Sequence, residues 1–304
     1  MSLNELLVVI AILSVSVALI VPAVLYAREA SRRTVCANQL RQLGVAFASY
    51  ESANKAFPAH FGRNEYGAYV VLLPHLEQSA LADSLDFSAD FEVINEILGA
   101  NRPSLFGCPS QPTGSADVAK RTAYLMNLGT AFSLLPDDIP TTDPLPYDGA
   151  FTLQQGRAFA SRDFSDGLSN TAFVSEVAWY PNGDRGIVQF APEDPVNVGE
   201  WKTLIDQCVA GADWEPLIGG HGSLWYGAGL QNAGYNHVTT PNTPGCELGP
   251  TQSSSYPASS WHTNGVHVLF GDGHTQFVTD DIDIETWRAI ATRLNGESQT
   301  LSNN

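Results

Sequence analysis

His262, His267, His274 and Asp272 are residue types that hold a transition metal, and imidazole with carboxylate suits zinc or copper. Their spacing argues against one shared site. On an alternating strand His267 faces one side, while Asp272 and His274 fall at a turn, so ligands would have to come from elsewhere. His262 is expected instead to hydrogen-bond the backbone of that turn. Further on, Asp280, Asp281, Asp283 and Glu285 supply oxygen donors of the kind calcium takes. An acid-rich helix start explains the same residues. The expectation is therefore no cofactor, with calcium at these acids as the alternative. Asp166 and Asn170 in "DGLSNT" are accounted for by a turn. No GxSxG, HExxH or P-loop pattern is present, so nothing announces an enzyme. The six tryptophans could form a sugar-stacking surface, but in a head of this size they read as core.

Cysteine chemistry is the other candidate. Cys36, Cys108, Cys208 and Cys246 are widely spaced, with no CxxC among them. That pattern fits two disulfides better than a zinc site, with four buried thiols as the alternative. Of the three possible pairings, order along the chain favours Cys36–Cys108 and Cys208–Cys246. Such bridges imply a compartment outside the cytoplasm.

The elements that must position these residues begin with a helix. Leu6 to Ala27 carries no charge and is just long enough to cross a bilayer core. Arg28, Arg32 and Arg33 follow as a positive flank. A cleaved signal peptide would place bases before its apolar run, whereas here the acid Glu5 comes first. Beyond the flank, Cys36, Leu40, Leu43, Phe47 and Tyr50 recur at helical spacing, a stripe that faces something solid. The first fifty or so residues thus predict one helix of about 75 Å. Pro22 should bend or loosen it, and Ser14 and Ser16 are placed to bond the freed carbonyls.

After Pro58 and Gly62 the helix cannot continue far. "AYVVLLPHLEQSALADSL" predicts a short apolar segment and a helix around Pro74, and "KRTAYLMNLG" and "TAFVSEVAWY" predict strands. The stretches 130–150 and 210–260 read as loops. In "GVHVLFGDGHTQFV", Asp272-Gly273 predicts a two-residue hairpin turn, with Val268 opposite Phe277 and Val266 opposite Thr279. That hairpin should pack on the rear half of the long helix. "IETWRAIATRL" predicts an acid-capped final helix.

A formal net charge of −17 over 304 residues excludes nucleic acid as a partner and disfavours docking of the head on anionic lipid.

The N-terminal segment resembles the mature N-terminus of type IV pilins and type II secretion pseudopilins. Met1, Glu5, "LLVVIAI" and Pro22 fall in that family's places, although Phe is commoner than Met at the first position and Asn4 replaces an apolar residue. "CANQLRQLGVAFASYESANKAFP", "LLPHLEQ", "FGCPS", "DGLSNTAFVSE" and "WHTNGVHVLFGDG" are similar to a pilin-like family abundant in planctomycetes. That family is marked by a His, nine residues, then Asp-Gly, here His262, Asp272 and Gly273.

The resemblance implies an α+β, pilin-like fold: a membrane and filament-core helix over residues 1–52, packed on an antiparallel sheet in a head over residues 53–304. It implies that numbering starts at the processed N-terminus, after cleavage by a prepilin peptidase. It places assembly on Met1, Glu5, Leu6, Leu7, Ile10 and Pro22. Glu5 would pair with the N-terminal amine of Met1 in a neighbouring copy, and a separate ATPase would drive extension. The chain would wait in the inner membrane and then join a cell-surface filament as a homopolymer. The alternatives are a minor pseudopilin, a membrane-anchored binding protein that never polymerises, and an envelope hydrolase.

Overall fold

A computed structural model describes residues 3–62, 66–89, 91–112, 119–130, 148–179, 184–190, 216–217, 221–248 and 253–294. The long helix α1 (Leu3–Asn54) runs unbroken through Pro22 and measures about 78 Å at helical rise. Ser14 Oγ donates to Ala11 O and Ser16 Oγ to Ile12 O, each at 2.8 Å. These are ordinary back-bonds within their own turns. The carbonyl that Pro22 frees belongs to Ala18, one turn further on, so the expected role of the two serines is corrected.

Behind α1 the chain forms α2 (Ala68–Leu72), a 3₁₀ turn over Leu73–Leu76, α3 (Ser79–Asp83) and α4 (Phe91–Ala100). The main sheet joins β1 (Tyr124–Asn127), β2 (Ala172–Glu176), β5 (Gly234–Tyr235), β8 (Gly265–Phe270) and β9 (Thr275–Thr279) in the order β5-β1-β2-β8-β9. The expected antiparallel sheet is in fact mixed, because β5 pairs with β1 in parallel. A second sheet, ordered β4-β3-β6-β7, is built from β3 (Asp184–Phe190), β4 (Pro216–Leu217), β6 (Gly245–Leu248) and β7 (Ser253–Ser255). The loop expected over 210–260 therefore holds strands, and a short helix α5 (Leu230–Ala233). These strands are two to four residues long and rich in Gly and Ser, so they carry no apolar alternation to read. The expected loop at 130–150 lies outside the described residues but for Thr130 and 148–150.

The main sheet separates two cores, and alternation along β8 shows how. Leu269 joins Leu40, Leu43, Phe47 and Phe173 on the α1 side. Val266, Val268 and Phe270 join Trp287 and Ile290 on the side of α6 (Ile284–Ala289). The stripe forecast for α1 is buried at Cys36, Leu40, Leu43 and Phe47, and Tyr50 packs partly buried against it. Gly44 lets α1 approach closely, since a Cβ there would lie 2.9 Å from Leu269 Cδ1 and 3.1 Å from Gly273 Cα. Asp283 caps α6, its side chain accepting the Thr286 N–H at 3.0 Å, as the acid-capped reading expected.

The β8–β9 hairpin differs from its forecast by one residue. Val268 pairs with Gln276 and Val266 with Val278. Phe270 N–H donates to His274 O and Gly273 N–H to Phe270 O, both at 2.9 Å, so Gly271-Asp272-Gly273 form a three-residue loop. Of Asp272 and Gly273, Gly273 alone has positive φ (+91°), as loops of this length need.

Candidate functional site

Two places on α1 hold the candidate residues. The first is its front. Leu6, Leu7 and Ile10 are exposed, as are the large apolar residues onward to Tyr26, and Glu5 lies in the first turn. The helix is long and apolar enough to cross a membrane, and its most apolar stretch is not buried within the protein. Met1, the expected partner position in a neighbouring copy, lies outside the described residues.

The second place is the junction where α1 meets the head. Cys36 of α1 is disulfide-bonded to Cys108, with a Cα–Cα distance of 5.3 Å across 72 residues. Cys246 is also disulfide-bonded, and its expected partner Cys208 lies outside the described residues. Against the first bridge sits His262, whose Nε2 lies 3.8 Å from Cys108 Sγ and 3.3 Å from Glu176 Oε1. Its Nδ1 lies 2.7 Å from Oε1 of Glu29 on α1. Arg32 holds the other oxygen of Glu29, donating from Nε at 2.9 Å and Nη2 at 2.5 Å.

Each of these side chains is placed by a distinct element. Glu176 ends β2, opposite Tyr124 in the register, and Glu176 Oε2 accepts the backbone N–H of His267 at 2.8 Å. The His267 ring sits 3.2 Å from both carboxylate oxygens. The loop before β8 is fixed by Ser260, whose Oγ donates to Gly265 O at 2.6 Å and accepts the His262 N–H at 3.0 Å. Tyr124 ties β1 to α1 beside the bridge, its hydroxyl 2.6 Å from Gln39 Oε1. Arg33 lies 3.8 Å above the Phe277 ring of β9, a further link between α1 and the sheet.

Electrostatics in the junction follow from this pairing. Burial works to raise Glu176, but hydrogen bonds and charge from His262 and His267 together outweigh it and hold the carboxyl below its ordinary range. Burial likewise opposes the charged form of His262, and the two flanking carboxylates overcome it, so the imidazole sits above its usual value. Glu29 is lowered: burial works to raise it, and His262 and Arg32 outweigh that. An imidazolium between two carboxylates is the charge state the geometry selects, because a buried carboxylate left unpaired would be costly.

The motif residues do not form one site. His262 precedes β8 and Asp272-Gly273 follow it, so the strand holds them apart. The expectation that His262 bonds the turn backbone is corrected, since its ring atoms face Glu29 and Glu176. Asp272 serves the turn itself, with Oδ1 accepting the His274 N–H at 3.0 Å and lying 2.6 Å from His274 Nδ1. Asp280 accepts from Asn242 Nδ2 at 2.6 Å and Asp283 caps α6, while Glu285 lies 3.8 Å from Arg288. Among the described residues, ligand atoms of the metal-binding types converge instead at Cys36, Cys108, Glu176 and His262, all within 4.8 Å of one another. Three tryptophans, Trp179, Trp225 and Trp287, are buried in the core, whereas Trp261 is exposed.

Sequence reasoning did not single out Glu29 or Glu176. A carboxylate closing the buried strand "AFVSE" is the one local sign that Glu176 has a partner.

No curated protein and no solved structure matches the chain. The profile of a family described as "Protein of unknown function (DUF1559)" matches residues 26–285. That span begins where the apolar front of α1 ends and takes in Glu29, both cysteines of the first bridge, Glu176, His262 and the hairpin, and on it the chain belongs to the DUF1559 family.

Proposed function

We propose that the chain is a structural, pilin-like subunit, anchored in the inner membrane by the front of α1 and then polymerised through that helix into a cell-surface filament. One observation carries this reading. A single helix has an apolar front exposed from Leu3 to Tyr26 and a rear half buried against the head from Cys36 onward. An apolar surface of that extent needs a cover other than water. Lipid is the cover before assembly, and the same helix from neighbouring copies is the cover afterwards. A carboxylate at Glu5 costs about 3 kcal/mol in hydrocarbon, which the terminal amine at Met1 of a neighbour offsets. The contact between front and neighbour is heterologous and does not close, so it propagates as a helix. The prepilin peptidase and assembly ATPase implied by the pilin resemblance are the machinery this route requires.

The test is Glu5→Ala in the native cell, followed by electron microscopy of sheared surface material and N-terminal sequencing of any fibre. Fibres built from this chain should be present in the wild type and lost in the variant, with the variant still in the membrane fraction. Fibres of this chain that persist in the variant would mean assembly without the Glu5–Met1 pair, and wild-type shearings without this chain would leave it a membrane-anchored surface protein that does not polymerise.

A further inference from the structure

We propose that Cys36, Cys108, His262 and Glu176 form a tetrahedral divalent-metal site, of the kind zinc takes, whenever the Cys36–Cys108 bridge is open. Two thiolates, an imidazole and a carboxylate are a donor set suited to zinc. Their ligand atoms already lie within 4.8 Å of one another. A tetrahedral ion with nitrogen and oxygen ligands at about 2.0 Å spaces those ligands about 3.3 Å apart, and a nitrogen and a sulfur about 3.5 Å apart. His262 Nε2 stands 3.3 Å from Glu176 Oε1 and 3.8 Å from Cys108 Sγ. His262 Nε2 therefore stands close to tetrahedral spacing from two of the other three donors before any ion arrives. The two sulfurs must also part to take up the ion.

The surroundings of these donors are those of a metal centre. A ligating histidine usually gives its second ring N–H to a carboxylate, which fixes the ring and raises its basicity. Here His262 Nδ1 faces Glu29 Oε1 at 2.7 Å, and Arg32 holds that carboxylate in turn. Glu176 is oriented by the His267 N–H at 2.8 Å, which leaves Oε1 toward His262 Nε2. Cys36, Cys108, Glu176 and His262 are all buried, so the ion would be shielded from water.

Opening the bridge takes two electrons. A dithiol supplies them and closes to its own disulfide, and its two protons pass to the cysteine sulfurs. Binding of the divalent ion then releases both thiol protons and the Nε2 proton of the His262 imidazolium to solvent. Reoxidation by a second disulfide, which takes the two electrons and two solvent protons and leaves as its dithiol, re-forms the bridge and expels the ion, so metal and disulfide are alternative clamps between α1 and the head.

The experiment uses the full chain in detergent, reduced anaerobically with a phosphine that leaves no competing thiol. Zinc is added, excess is removed, and bound metal is measured by mass spectrometry. Cobalt is substituted in parallel, because thiolate-to-cobalt charge transfer and tetrahedral d–d bands report the ligand set. One zinc per reduced chain and none per oxidised chain is the expected result. His262→Ala should weaken binding about 100-fold and Glu29→Gln about 10-fold, as losses of a ligand and of its orienting partner do. Circular dichroism of each oxidised variant checks that it folds, and the wild-type cobalt spectrum stands independently of any substitution. A reduced wild type that binds no zinc overturns the proposal. So does zinc held equally by wild type and His262→Ala, or a cobalt spectrum without two thiolates and a nitrogen ligand.

Discussion

The front and the rear of α1 obey the same helical geometry and meet opposite fates. From Leu3 to Tyr26 the helix is apolar all round and the head covers none of its large residues. From Cys36 to Phe47 one apolar stripe is buried against the head, and Val45, off that stripe, is exposed. The difference lies in angular distribution rather than in hydrophobicity. A one-sided stripe is solved by one sheet, whereas an all-round surface needs a medium or several neighbours. Between the halves lies the charged turn of Arg28, Glu29, Arg32 and Arg33, and two of these, Glu29 and Arg33, reach into the head. The boundary is thus also a clamp, with a covalent bond, an ion-paired imidazole and a cation–π contact within a few turns.

Breaking the covalent clamp should have the largest effect on the head. A loop closed across 72 residues contributes about 4 kcal/mol in the chain-entropy model. The double substitution Cys36→Ser/Cys108→Ser should lower the denaturation midpoint of the detergent-solubilised chain accordingly; an unchanged midpoint would mean that the rear half holds without it. Leu43→Ala comes next, at about 3 kcal/mol, because Leu43 is fully buried in the core. Leu13→Ala is its counterpart at the front. Exposed at 58%, Leu13 should change head stability by less than about 0.5 kcal/mol. Equal losses from the two leucines would erase the distinction between the halves.

What could be read from the sequence divides along the same line. The stripe on α1 and the apolar front are periodic and local, so spacing alone reveals them. The hairpin was legible as a hairpin, yet its register slipped by one because Gly271 belongs to the loop and leaves β8 at Phe270. The four-stranded sheet was not legible, since strands such as "SSS" at Ser253–Ser255 carry no apolar signal. The junction was the least legible part. Glu29 and His262 are 233 residues apart, and Glu176 and His267 are 91 apart. No local period relates them; the sheet order β1-β2-β8 and the docking of α1 bring them together.

Gly44→Ala sharpens the comparison at a single position. In an isolated helix the change would be favourable by about 1 kcal/mol. Here the new Cβ would meet Leu269 Cδ1 at 2.9 Å and the Gly273 backbone at 3.1 Å, and backbone cannot move aside cheaply. The net effect should be a loss of about 1–2 kcal/mol, read from the same denaturation midpoint. Val45→Ala, one residue on and exposed, should be nearly neutral. A gain on Gly44→Ala would show that α1 stands off the hairpin.

The loss expected at Glu29 is smaller than those at Cys36–Cys108 and Leu43 and is the most specific, because it depends on pH. In the disulfide form, Glu29→Gln removes one of the two carboxylates on His262 and should cost about 1 kcal/mol. The pKa of His262 is raised from its ordinary 6.5, so its contribution is complete below 6.5 and fades as pH climbs through the raised value. That of Glu29 is lowered from 4.5, so its contribution is complete above 4.5 and fades as pH falls through the lowered value. The cost of Glu29→Gln should therefore be greatest between 4.5 and 6.5 and shrink on both sides, sinking on the alkaline side once the imidazolium deprotonates. Denaturation midpoints of wild type and variant across pH 4 to 9 would trace this curve. A cost that is flat with pH would mean that Glu29 holds α1 to the head by shape and hydrogen bonding alone, with no charge on His262 behind it.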